Sequence, residues 1–143
     1  MSKIRGYAFL CDDIRIEADK RKSYMGVYHL TTGFNSDDRV EIPKIVAVFQ
    51  VFYKKEDRPE KLSFLIKFIN KDGSIEEVAR AEAEDDNLQQ FVTNSDVSAI
   101  LNLSLSVNFA DFSIEKINDR LSLTYIADGQ EYELGSYRFV FKD

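Results

Sequence analysis

Two side chains in the sequence have the chemistry of a nucleophile and its base, the thiol of Cys11 and the imidazole of His29. Each is the sole residue of its type among 143 residues. A catalytic cysteine needs the base within hydrogen-bonding distance and a third group that orients the base. The sequence identifies no such group. We therefore interpret Cys11 as a small core residue and His29 as a polar strand-end residue, and we expect no enzymatic activity.

Three pairs of adjacent aspartates, each at a predicted strand end or loop, are the other groups with ligand chemistry: Asp12-Asp13, Asp37-Asp38 and Asp85-Asp86. Carboxylate oxygens suit Ca²⁺, and pairs that converge at one end of a domain form ion sites. On an extended chain adjacent side chains point in opposite directions, so each pair offers one ligand. Asp12, Asp37 and Asp85 are therefore weak metal candidates, and the main expectation is solvated loop charge.

Cofactor chemistry has little support elsewhere in the sequence. A structural zinc site takes four Cys or His ligands, and the chain has two such residues. The 6 glycines are dispersed and form no phosphate-binding loop. We expect no cofactor.

The elements that would position these residues are strands. Every odd position from Leu101 to Phe109 is apolar and every even one is Asn or Ser, which is typical of a strand with one buried face. Leu62, Phe64, Ile66 and Phe68 likewise share one face of a predicted strand, and Asp128-Gly129 marks a C-terminal hairpin turn. The pattern predicts an all-β fold, an antiparallel β-sandwich of about eight strands with little helix. Its layout is expected to be immunoglobulin-like or C2-like, with a closed barrel as the alternative.

Several segments interrupt the alternation. The apolar parity changes at Asp12-Asp13 and again near Gly135-Ser136, which predicts a bend and a β-bulge. The polar segment 31–41 reads as a loop, and Pro43 opens the next strand. The Ala- and Glu-rich segment 74–91 is ambiguous, and we favour a strand to about Glu84 followed by a short helical turn at 86–90.

Composition limits the class of partner. The chain has 19 basic and 25 acidic residues, a net charge of −6, so we expect no nucleic-acid partner. No apolar run approaches the ~20 residues of a membrane helix, and we expect no membrane partner. A lone cysteine and the absence of a signal-like start favour a cytoplasmic protein. The length predicts a single domain, residues 1–143.

The segment from Phe9 to Arg15, followed by Ser23 to Tyr28, resembles the start of a group of short bacterial proteins of unknown function. These begin with a similar Phe-x-x-Cys-Asp-Asp-hydrophobic-Arg segment, whereas one residue separates Phe9 from Cys11 here, and they continue with a Gly-Val-Tyr strand. The closing Asp128-Gly129 hairpin is similar too, whereas the segment from Glu76 to Asp86 departs from the pattern. The resemblance implies a compact β-sandwich and no particular activity.

The strand from Ile45 to Tyr53 is apolar on both faces, which is unusual for a two-layer sandwich. Five large apolar side chains share outward parity on this strand and on the one we expect beside it: Val46, Val48, Phe52, Leu65 and Ile69. Together they predict an interaction face, unless another part of the chain covers them. We therefore expect a non-enzymatic protein-interaction module, with self-association or membership of a larger assembly left open. The alternative is an ion- or small-ligand-binding sandwich that uses the acidic loops.

Overall fold

Alternating apolar residues form strands along nearly all of the chain that the structure, a computed structural model, describes: residues 4–36, 38–83 and 100–142. No α-helix occurs in these ranges, and one short 3₁₀ turn spans Lys55–Asp57. The ten strands are β1 Arg5–Cys11, β2 Asp13–Ile16, β3 Lys22–Met25, β4 Thr31–Phe34, β5 Arg39–Lys54, β6 Leu62–Asn70, β7 Ile75–Ala83, β8 Ile100–Glu115, β9 Asn118–Ala127 and β10 Gln130–Phe141.

The strands form two large sheets and one small hairpin. A three-stranded sheet has the order β1-β5-β8, and a five-stranded sheet has the order β4-β10-β9-β6-β7. All neighbours are antiparallel except β4, which pairs with β10 in parallel. The hairpin consists of β2 and β3. The all-β, sandwich-like class predicted from the sequence is confirmed, and the described residues form ten strands where about eight were expected.

The core lies between the two large sheets. The three-stranded sheet contributes Leu10 from β1 and every odd residue from Ile45 to Tyr53 on β5. The five-stranded sheet contributes the even residues of β6 from Leu62 to Phe68. The rings of Phe49 and Phe64 meet across the interface, with centroids 4.9 Å apart. One face of each strand is therefore buried by the opposite sheet, as the period of two requires.

β5 and β8 form a long two-stranded ribbon. At Pro43 and Asp111 the ribbon switches which of its two faces is buried in the core. Ile42 pairs with Phe112 and Lys44 with Ala110, so Pro43 and Asp111 lie opposite each other at the change. Proline has no N–H to donate, and Asp111 has a φ of 52°, so both residues break the regular ladder. Pro43 therefore lies inside β5 and does not open it, which corrects the sequence prediction.

Segment 31–41, predicted to be a loop, contains β4 and the first part of β5. The prediction holds for residues 35, 36 and 38, which lie between the two strands, and is wrong for the rest, because polar residues conceal the alternation of β4. Its single large apolar residue, Phe34, packs against Phe139 and Phe141 of β10 with centroids 5.7 and 5.5 Å apart. The strand predicted after residue 74 is confirmed as β7, while the helical turn predicted at 86–90 lies outside the described residues.

β1 and β10 approach closely where the two large sheets meet. A Cβ on Gly135 would lie 2.6 Å from the carbonyl oxygen of Ala8, so only glycine fits. Two residues on, the Tyr137 hydroxyl accepts a hydrogen bond of 3.0 Å from the Leu10 N–H, and Tyr137 is buried. The register of β10 against β9 shifts between Glu133 and Gly135. The predicted bulge is thus present, one residue earlier than expected.

We predict that Gly135→Ala lowers the free energy of unfolding by about 1–3 kcal/mol, because the added methyl group meets backbone that cannot rotate away. Gly33→Ala is the matched control, since a Cβ at Gly33 of β4 meets nothing within 4 Å. It should change stability by less than about 0.5 kcal/mol. Urea unfolding followed by circular dichroism measures both variants. Equal stabilities for the two would contradict the close approach of β1 and β10.

Candidate interaction face

The five residues predicted to share one outward face lie on two different sheets. Val46, Val48 and Phe52 belong to β5, and Leu65 and Ile69 belong to β6. β5 pairs with β1 and β8, whereas β6 pairs with β7 and β9. The chain crosses from one sheet to the other between β5 and β6, so the expected neighbouring of these two strands is wrong. The five side chains do not form a single surface.

Val46 and Val48 point outward from the three-stranded sheet, but the β2–β3 hairpin covers them. Their exposed fractions are 0% and 1%. With Cys11 they form a second, small core, and Ile14 of β2 and Tyr24 of β3 pack against it. Of the two alternatives that the sequence left open, cover by another part of the chain is the one that holds for these two valines, because a hairpin from the N-terminal part of the chain folds over β5.

The turn between β1 and β2 holds this hairpin in place through Asp12. Its backbone N–H donates to the carbonyl oxygen of Met25 at 2.9 Å, and the Tyr28 N–H donates to Leu10 at 2.9 Å. Burial, and then hydrogen bonding with the Asp12 carboxylate, raises the pKa of Tyr28 to about 12. Gly26 has a φ of 64°, and a Cβ there would overlap the same carboxylate. The predicted bend at Asp12-Asp13 is confirmed.

These contacts bear on the weak metal candidates. The Asp12 carboxylate is already engaged by Tyr28, and Asp37 and Asp85 lie outside the described residues. Within residues 4–36, 38–83 and 100–142, no three His, Cys, Asp or Glu residues are grouped as metal ligands. Asp12 acts here as a structural acceptor at a chain reversal.

Cys11 and His29 have different environments. Cys11 is fully buried in the small core, and burial, with the nearby Asp12 charge second, raises the pKa of its thiol. A thiol with a raised pKa stays protonated at neutral pH and is a poor nucleophile. His29 is exposed in the segment between β3 and β4, outside any strand, contrary to its predicted strand position.

The outer face of the five-stranded sheet is polar, and its cations are paired. Lys67 forms an ion pair with Glu131, and Arg120 with Glu133 at 2.9 Å. Burial alone would raise the pKa of Glu133, but hydrogen bonds from Ser122 and Arg120 outweigh it and lower the pKa. Leu65, on this same face, is buried, and Ile69 is half-buried. This face therefore offers no broad apolar surface around Leu65.

The remaining predicted face residue, Phe52, belongs to a row of aromatic rings on the three-stranded sheet, which we call the aromatic row. It runs Tyr24, Phe9, Tyr7, Phe52, with successive centroids 4.9, 6.1 and 6.2 Å apart. Tyr24 belongs to β3 of the hairpin and forms the covered end of the row. Tyr7 lies beyond the hairpin and is 50% exposed, while Phe52 is half-buried beside it. The row therefore passes from the covered to the open part of the sheet.

The open part of this face is cationic and polar. Because side chains alternate along a strand, Arg5 lies on the same face of the sheet as Tyr7, and Lys54 lies on the same face as Phe52. Both cations are exposed. Gln50, between them and the hairpin, donates to Ser104 at 2.8 Å and to the Tyr24 hydroxyl at 3.3 Å. None of the described outward positions on β1, on β5 beyond Pro43 or on residues 104–108 of β8 holds a carboxylate.

Tyr7, Phe9 and Tyr24 are not among the surface residues predicted from the sequence. The shared parity of Tyr7, Phe9 and Cys11 indicates that these residues lie on one face of β1. However, Ala8 and Leu10, on the other face, are apolar as well. A strand that is apolar on both faces does not reveal which face meets the core.

No protein-family model matches the chain, and no curated protein matches it. The resemblance to short bacterial proteins stays a prediction. Among the residues whose placement is described, no helix has the length and apolar character needed to cross a bilayer.

We predict that Val48→Lys lowers the free energy of unfolding by about 3 kcal/mol or more, because it puts an unpaired charge beneath the hairpin. The control is Val140→Lys on β10, where the native side chain is 48% exposed. This control should shift stability by about 0.5 kcal/mol or less. Circular dichroism during urea unfolding compares the two; a fully stable Val48→Lys protein would contradict the covered position of Val48.

A second prediction concerns the Asp12 turn. Gly26→Ala and Gly73→Ala both place a side chain at positive φ, 64° and 88°, but Gly73 has open space around it. Gly26→Ala should cost about 1–3 kcal/mol more than Gly73→Ala, because its methyl group displaces the Asp12 carboxylate.

An Asp12→Ala background tests the cause of that difference. Without the carboxylate, Gly26→Ala should cost about as much as Gly73→Ala, and the double-mutant cycle gives the coupling between Asp12 and Gly26. Identical costs of the two glycine substitutions in the natural sequence would mean that the Asp12 carboxylate does not fill this space.

Proposed function

We propose that this protein is a non-enzymatic protein-interaction module whose contact surface is the open end of the aromatic row. The observation that carries the proposal is the exposure of Tyr7 next to Phe9 and Phe52. Aromatic side chains are the most enriched class at protein interfaces, since each buries a large area and loses little rotamer freedom. Phe52 is the residue that the proposed contact surface shares with the face predicted from the sequence. Tyr7 and Phe9 are added to the surface by the structure.

The chemistry of the described side chains supports a binding role over catalysis. Cys11 is buried with a raised pKa, and the Asp12 carboxylate is bonded to Tyr28. Neither group is poised for proton transfer or nucleophilic attack. Of the three candidate ligands in the alternative, an ion-binding module that uses the acidic loops, Asp12 alone lies among the described residues.

The lone cysteine of the chain supports a reducing compartment, and the proposal places the protein in the cytoplasm. Its net charge of −6 disfavours nucleic acid as the main partner. The aromatic row would bind one of two kinds of partner, a second copy of the chain or a different protein.

Photo-cross-linking in a lysate of the source cell tests the proposal. With p-benzoylphenylalanine in place of Tyr7, irradiation should give a discrete adduct, because the partner covers this position. The same residue in place of Val140, which is also half-exposed, is the matched control and should give none. An adduct of twice the chain's mass would identify self-association.

The adduct should also disappear when Phe52→Ser is added to the cross-linker protein, provided that circular dichroism shows the fold unchanged. An adduct that forms equally from the Tyr7 and Val140 positions, or that persists with Phe52→Ser, would count against the aromatic row as the contact surface.

A further inference from the structure

We infer that the aromatic row receives an extended, acidic segment of a partner protein that carries an apolar or aromatic anchor residue. This inference rests on the proposed function and goes beyond it by giving the partner's chemistry. It comes from the charges around Tyr7 and Phe52, from the size of the open surface and from the geometry of β1.

The charge on this face is the opposite of the chain's own. The protein has 25 acidic and 19 basic residues, yet the described outward positions around the row hold Arg5 and Lys54 and no carboxylate. In the described chain neither cation forms an ion pair, whereas Lys67 and Arg120 on the other sheet are paired with glutamates. Two unpaired cations that flank apolar rings complement a ligand with carboxylates around an apolar side chain.

The open apolar area is small. A whole aromatic side chain buries about 150–250 Å², and Tyr7 is half-exposed with Phe52 more covered, so the two offer on the order of 200 Å². A stable complex of two folded proteins buries about 800 Å² on each partner. An area this small suits one or two anchor side chains of a short segment.

The segment would lie across the face rather than add to the edge of β1. That edge is engaged, since the Leu10 N–H donates to the Tyr137 hydroxyl and the Ala8 carbonyl faces Gly135 of β10. Side-chain recognition by the rings and cations therefore replaces the backbone pairing of strand addition.

Two other occupants fit the charges less well. A symmetric dimer through this face would bring Arg5 and Lys54 of the two copies together, and like charges across an interface are unfavourable. Single-stranded nucleic acid also stacks on aromatic rings, but its binding relies on many phosphate contacts, and this face supplies two cations on an acidic protein.

Selection from a random-peptide phage-display library against the full chain tests the inference. Enriched peptides should contain several Asp or Glu residues around a Phe, Tyr, Leu or Ile. Their binding, measured by fluorescence polarisation with the synthetic peptide, should be lost with Tyr7→Ser and should weaken as salt rises, because opposite charges are screened.

Charge-reversal variants distinguish the effect of the cations on this face from the effect of the protein's net charge on peptide binding. Arg5→Glu/Lys54→Glu should weaken binding of the selected peptide about tenfold or more. Lys71→Glu/Lys116→Glu changes the net charge equally in two exposed turns and should keep the dissociation constant within about twofold.

The outcomes distinguish this inference from the proposed function. Enriched peptides that need Tyr7 but lack excess acidic residues would overturn the inference and leave the interaction module standing. A cross-linked partner at Tyr7 with no enriched peptide would indicate a folded partner, and it would likewise overturn the inference alone. Binding of an oligo-uridine probe through Tyr7 would have the same consequence. Loss of both the adduct and the peptides would overturn both proposals.

Discussion

The hydrogen bonds around Asp12 determine which part of the three-stranded sheet is covered. Asp12 reverses the chain at the end of β1, and its bonds to Met25 and Tyr28 keep the β2–β3 hairpin over β5. Without that cover, Val46 and Val48 would be exposed. A left-handed glycine at position 26 gives the Asp12 carboxylate the space it needs.

The limited reach of the hairpin creates the candidate interaction face. Tyr24 is the ring that the hairpin contributes to the aromatic row, and its hydroxyl bonds to Gln50. Beyond this point no described segment outside the sheet covers β1 and β5, and Tyr7 reaches solvent while Phe9 does so only in part. One continuous row of ring contacts thus connects a small buried core with an open surface. Rings held by their neighbours lose little freedom on binding, which favours association.

The two outer faces of the sandwich differ in whether their cationic side chains are ion-paired. On the five-stranded sheet, Arg120 and Lys67 are neutralised by glutamates on β10, and Ser122 donates to Glu133 as well. Surface ion pairs of this kind add little stability, but they leave no charge free to attract a partner. On the three-stranded sheet the cations beside the aromatic row keep their charge available. The proposed recognition of acidic segments follows from that contrast.

The sequence by itself determined the β class and the bend at Asp12-Asp13, because these features depend on local alternation and turn chemistry. It favoured a strand for the ambiguous segment that contains β7. It also showed that the Ile45–Tyr53 strand is apolar on both faces. Only the tertiary structure decided that β5 and β6 belong to different sheets and that a hairpin covers Val48. Strand order and cover depend on contacts between residues far apart in the chain, and a local pattern of apolar residues is the same whether a sheet, a hairpin or a partner buries it.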